Sequence, residues 1–225
     1  MFKLFAGLGS DDTIRFIGEV ERGAACGCFC PECGAPLLAK HGTEKVWHFA
    51  HEGGRERPEC EAGSVNLLRR LAVEHLRTQE AIELPPCKDS VNVRSPFRAL
   101  WADVVWSARI VGAVEWVSAP TKYGPVGLAR LDQGGELEIF VEISDTLSRQ
   151  FPPGQDGKAS VVFWSTLPVM SDRRKRSYAL QHLRHRGQFI WRHQPGNAVL
   201  AQHEQRLSVR AEQDEELFRR IRQRR

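Results

Sequence analysis

Apolar residues recur at two periods along the chain, and the places where the period changes mark its elements. Phe2 and Leu4, then Ile14, Phe16 and Ile17, flank the turn-rich Gly7-Leu8-Gly9-Ser10-Asp11-Asp12, which predicts a β-hairpin. Leu37-Leu38-Ala39-Lys40 and Val46-Trp47-His48-Phe49 predict two short strands joined by a turn at His41-Gly42, with Trp47 and Phe49 on one face. From Ser64, a candidate N-cap, the stripe Leu67, Leu68, Leu71, Val73 and Leu76 predicts a helix to Gln79 that turns Arg69, Arg70 and Arg77 outward. Pro85-Pro86 ends that region.

Beyond the prolines the period shortens to two. Phe97, Ala99, Trp101, Asp103 and Val105 alternate with Arg98, Leu100, Ala102, Val104 and Trp106. Both sets are largely apolar, so a strand buried on both faces is expected, in which Asp103 would be costly unless paired or bound to a metal. Ile110 to Val117, Glu138 to Ile143 and Val161 to Trp164 predict three more strands, with residues 118–135 as a long polar excursion. Arg173 to His185 reads as a basic helix with Tyr178, Leu180 and Leu183 inward, followed by a strand at Gln188 to Trp191. Glu204 to Arg225 reads as a charged helix with a sparse stripe of Leu207, Leu217, Phe218 and Ile221. The expected class is α+β: a β-rich module over residues 1–63, an αβββ(α)β core over 64–170, and a basic helical extension over 171–225.

Composition narrows this only a little. Hydrophobic residues at 41% and charged residues at 27% are ordinary for a globular chain of 225 residues, which argues against disorder. Met1-Phe2-Lys3 is followed by few apolar residues before Asp11-Asp12, and no run reaches transmembrane length. Neither a signal peptide nor a membrane partner is expected, and the cysteines should be reduced in a cytoplasmic protein. The net charge is +4, but its placement is uneven. Arg173, Arg174, Lys175, Arg176, Arg184, Arg186 and Arg192 stand against Asp172 alone within one short segment, which suits the phosphates of a nucleic acid.

The densest chemistry lies between Cys26 and Cys60, which hold five of the six cysteines together with His48 and His51. Cys30-Pro31-Glu32-Cys33-Gly34 has zinc-knuckle spacing: two thiolates on a tight turn face one ion, and the glycine lets the backbone curl. Cys60 and either His48 or His51 would complete a tetrahedron, with Cys26 and Cys28 in reserve. A closed four-ligand zinc site is structural, so any catalysis should lie downstream.

The knuckle, Lys40-x-Gly42, His48-Phe49-Ala50-His51, Cys60, Arg98-x3-Ala102-Asp103-Val104 and Glu142-Ile143-Ser144 together resemble the nuclease-like family typified by the competence protein CoiA. That resemblance covers roughly residues 15–165. It implies a zinc-ribbon-like module followed by a PD-(D/E)XK restriction-endonuclease-like core that cuts DNA with Mg²⁺ or Mn²⁺. Asp103 and Glu142, on neighbouring strands, would hold the catalytic ion, with Glu74 as a third ligand. The family's lysine position is occupied by Ser144, which can hold a water but supplies no positive charge, and Lys158 or Lys122 would have to substitute. Phe151-Pro152-Pro153-Gly154 also blocks a connecting helix. These departures favour an alternative, an inactive nuclease-fold protein that binds nucleic acid or a nucleoprotein complex, for example a phage- or plasmid-borne regulatory or inhibitory factor.

Overall fold

The computed structural model describes residues 3–43, 45–54, 60, 62–118, 124–145, 158–169, 173–195 and 198–223. Lys122, residues 151–154 and Asp172 lie outside them. The first hairpin forms as its alternation predicts, from β1 (Ala6–Leu8) and β2 (Ile14–Phe16), antiparallel with Gly7 opposite Arg15. A second hairpin, β3 (Leu37–Lys40) with β4 (His48–His51), sets Leu37 opposite His51 and Lys40 opposite His48.

Helix α1 (Gly63–Arg77) follows, burying Leu67, Leu68, Leu71 and Leu76. Each fully buried leucine contributes about 2 kcal/mol of transfer free energy. The N-cap is Ala62, not Ser64. The Ser64 hydroxyl is buried and accepts the backbone N–H groups of Phe5 (3.0 Å) and Ala6 (3.2 Å), tying the helix to β1. A hydroxyl that satisfies another strand's donors is unavailable to cap its own helix.

A five-stranded sheet forms the centre, in the order β11-β10-β9-β8-β7. It comprises β7 (Ile110–Trp116), β8 (Gly127–Leu131), β9 (Glu136–Ile143), β10 (Ala159–Ser165) and β11 (Gln188–His193). Only β9 and β10 are parallel; the other pairs are antiparallel. Helix α1 packs on β9, on β1 and on α2 (Arg176–Arg186), so buried side chains from Leu4 to Leu183 form one contiguous cluster.

Three features depart from the sequence reading. Strand β8 lies inside the expected excursion, closed by a turn in which Gly134 and Gly135 take φ of 83° and 98°. Strand β5 (Cys87–Arg94) is too polar to signal itself, yet it pairs with β6 (Ala99–Trp106) as a separate two-stranded sheet. Strand β6 is covered on one face only. Leu100, Val104 and Trp106 are buried, whereas Trp101 and Val105 are each 65% exposed. The covering element is α3 (Ala198–Gln223), which seats Phe218 edge-on to Phe97 and accepts a hydrogen bond from Ser95 on Asp214.

Candidate metal centre

The knuckle turns at Gly34, whose N–H donates to the Cys30 carbonyl at 2.9 Å and whose φ of 69° disfavours a side chain. The turn is held against the start of α1. A Cβ on Gly63 would come within 2.8 Å of Pro31 Cγ, and Asn66 donates to the Glu32 carboxylate. That close approach brings Cys60, just before the helix, onto the knuckle.

The histidines are separated by strand geometry. Successive side chains on β4 alternate faces, so His51 shares the buried face of Phe49 and His48 points the other way. His51 is 3% exposed with Nε2 lying 3.4 Å from Cys33 Sγ, whereas His48 Nδ1 is 2.8 Å from the Val46 carbonyl. Cys30, Cys33, His51 and Cys60 bring one donor atom each to within 4.8 Å of one another. Zinc, with Zn–S near 2.3 Å and Zn–N near 2.0 Å, sets donor separations of about 3.5–3.8 Å, so a small contraction of this set would hold the ion. Cys26 and Cys28 stay outside, with their thiols directed at the carbonyls of Leu37 and Cys26.

Burial pushes the Cys30 thiol up to about 12 and, with Cys26 beside it, the Cys28 thiol to about 12. At neutral pH the metal must therefore displace protons from its thiol ligands. Zinc uptake by the metal-free protein is expected to release about three protons, one per cysteine ligand. The apparent affinity should then fall about a thousandfold for each unit of pH lowered below neutrality. Competition with a chromogenic chelator across pH measures that slope, and a slope near zero would exclude thiolate ligation.

Residues 19–62 match the family model of the competence protein CoiA, N-terminal domain. The match contains all four donors and none of the five-stranded sheet. No curated protein and no solved structure matches the chain.

Outside this CoiA-like module the expected acids are spread apart. Glu142 lies near the end of β9 at 2% exposure, where Ser144 Oγ donates to its Oε1 at 2.9 Å and an Arg192 nitrogen stands 3.7 Å from Oε2. Its neighbour across the parallel pair is Trp164. On the other side, recorded pairing with β8 ends at Gly127 opposite Ile139, short of Glu142. Asp103 is exposed in the middle of β6, opposite Ser90, in the other sheet. Its charge therefore meets water rather than the apolar surroundings expected of it. Glu74 bridges Arg70 (3.5 Å) and Arg176 (2.6 Å). Lys158 pairs with Glu136 at 2.8 Å, at the opposite end of β9 from Glu142 and about 20 Å away at the rise of a strand.

The basic segment is also used differently from its sequence reading. Arg173 sits 5.4 Å from the Phe5 ring centroid and Arg174 5.0 Å from that of Trp47. Gly18 N–H donates to the Arg174 carbonyl, and Arg176 N–H donates to Glu19. Residues 173–176 thus clamp the first hairpin and α1 together. Lys175, Arg184 and Arg186 remain exposed. Sequence reading overlooked Arg192 as a partner of Glu142 and Asn66 as a brace of the knuckle; neither belongs to a spacing pattern that could have announced it.

Proposed function

We propose that the protein binds nucleic acid, with zinc organising its CoiA-like module, and that its central sheet does not catalyse phosphodiester hydrolysis. The observation that supports this reading is the setting of Glu142. A catalytic Mg²⁺ or Mn²⁺ needs several hard oxygens converging where solvent and phosphate can enter. Glu142 is buried, accepts the Ser144 hydroxyl and stands beside the Arg192 guanidinium, which supplies the positive charge a metal would otherwise bring. Among the described residues, the one cluster of three or more metal-ligating side chains is the Cys₃His set, whose four protein donors leave no position for substrate. Nucleic acid, DNA above all, fits the cationic surface as partner. Thiol ligands kept reduced fit a cytoplasmic location. No helix among the described residues is long and apolar enough to cross a membrane.

The nuclease reading keeps one observation in its favour: Glu142 lies near the end of β9 beside the parallel strand β10. In that reading Asp103, Glu142 and Glu74 hold the ion and Ser144 orients water. The purified protein, incubated with single- and double-stranded DNA and RNA in Mg²⁺, Mn²⁺ or chelator, is expected to bind with strong salt dependence and to leave every substrate intact. Metal-dependent cleavage lost in Asp103→Ala would establish the enzyme instead.

A further inference from the structure

The cations of the chain differ in whether a carboxylate already holds them. Arg70, Arg176 and Lys158 are each committed to a carboxylate of the same chain. Arg22, Lys40 and Lys45 are exposed and enter no ion pair among the described residues. Yet the fold gathers these three into one concavity of about 450 Å³, lined also by His41, Thr43 and His48, and the described residues lining it include no carboxylate.

The gathering is built rather than incidental. Gly23 exchanges both backbone hydrogen bonds with Ala39 (2.9 and 3.0 Å), which lays Arg22 alongside β3. Lys40 and His48 are direct cross-strand partners, so both project from the face opposite buried Ala39 and Phe49. His41 is fixed by a 2.7 Å hydrogen bond from Nε2 to the Ile17 carbonyl and by stacking on Trp47, with ring centroids 4.4 Å apart at 17°. Trp47 in turn receives Arg174 from the far part of the chain. Like charges held together cost free energy unless an anion neutralises them.

We infer that this concavity is the seat for the phosphodiester backbone of the bound nucleic acid. The inference rests on the nucleic-acid reading above and locates its contact surface on the metal module rather than on the segment richest in arginine. Arg22, Lys40 and Lys45 meet phosphate oxygens, and Nε2 of His48 and the Thr43 hydroxyl add hydrogen bonds. Contacts of this kind carry affinity without base specificity. Zinc acts on binding indirectly, by holding β4 and the knuckle in the arrangement that brings the three cations together.

The test uses the full chain loaded with zinc and a fluorescein-labelled single-stranded DNA, titrated between about 50 and 200 mM salt. The triple variant Arg22→Gln/Lys40→Gln/Lys45→Gln is expected to bind at least about tenfold more weakly, with the logarithmic salt slope reduced by about two. Lys175→Gln/Arg184→Gln/Arg186→Gln should lose less. Conserving charge with Lys40→Arg/Lys45→Arg in the wild-type background should retain affinity, and unchanged zinc content in every variant excludes misfolding. Wild-type binding that the first triple variant leaves intact would overturn the concavity while sparing the nucleic-acid reading. Absence of DNA and RNA binding in the wild type, or binding only to vesicles containing anionic lipid, would overturn both.

Discussion

Replacing Cys60 with serine is expected to abolish stoichiometric zinc binding and to unfold the module over residues 19–62. The module has little else to hold it. Its hairpin β3–β4 has only four residues per strand and the neighbouring β1–β2 only three, and such two-stranded pieces are marginal in water. Binding of zinc by four protein ligands supplies on the order of 10 kcal/mol, so its loss is comparable to the whole stability of an ordinary domain. The damage should spread. Phe5, Phe16 and Phe49 share one buried cluster with Leu67, Leu68 and Leu71, and Ser64 joins α1 to β1. Melting of the whole chain should therefore fall, and protection of α1 amides from hydrogen exchange should be reduced. His48→Ala and Cys26→Ser serve as controls, because neither residue belongs to the donor set and zinc content should stay at one ion per chain. Normal zinc content and melting in Cys60→Ser would refute the assignment.

Glu142→Ala is expected to cost about 3 kcal/mol, because it removes the carboxylate from a largely buried ion pair with Arg192. The side chains are 3% and 15% exposed, so water can offset only a small part of that loss. For a chain of this length the melting temperature should drop by roughly 6–12 °C. Asp103→Ala, on the exposed face of the β5–β6 hairpin, should change stability by less than about 0.5 kcal/mol. A catalytic pair would behave otherwise. Two carboxylates that repel one another in the absence of metal tend to stabilise the fold when either is removed, and each removal would abolish cleavage. Chemical denaturation of the two single variants separates these outcomes without any substrate.

Much of the local structure was legible because it follows from short-range physics. The period-2 run around Ile14 and Phe16, the leucine stripe of α1 and the β-rich run at Val161 to Trp164 each became the element expected of them. Where the reading missed, a local signal was weak or overridden. Strand β5 carries Lys88, Asp89, Ser90 and Asn92, whose polarity hides its period; pairing with β6 and cover from α3 supply the stability that propensity does not. Ser64 looked like a cap because capping is the common local use of a serine before an apolar run, and a contact fifty-eight residues distant displaced that use.

Within the candidate metal centre, the pairing of Cys30 with Cys33 was determined by the sequence alone, since thiol spacing and a glycine turn constrain the knuckle before any folding, whereas Cys60 reaches it through the packing of α1. Even the choice of His51 over His48 was implicit in strand alternation once Phe49 was assigned to the core, because residues three apart on a strand cannot share a face. The rest was decided by tertiary structure. The family resemblance suggested that Asp103 and Glu142 act together on neighbouring strands, but strand order is a long-range property, and the two ended in different sheets. Density of arginine suggested that residues 173–176 face a ligand, whereas packing turned Arg173 and Arg176 to internal partners and left Arg22, Lys40 and Lys45 without an ion pair among the described residues. Linear composition records how much charge a segment carries; only the fold determines which of those charges are already neutralised.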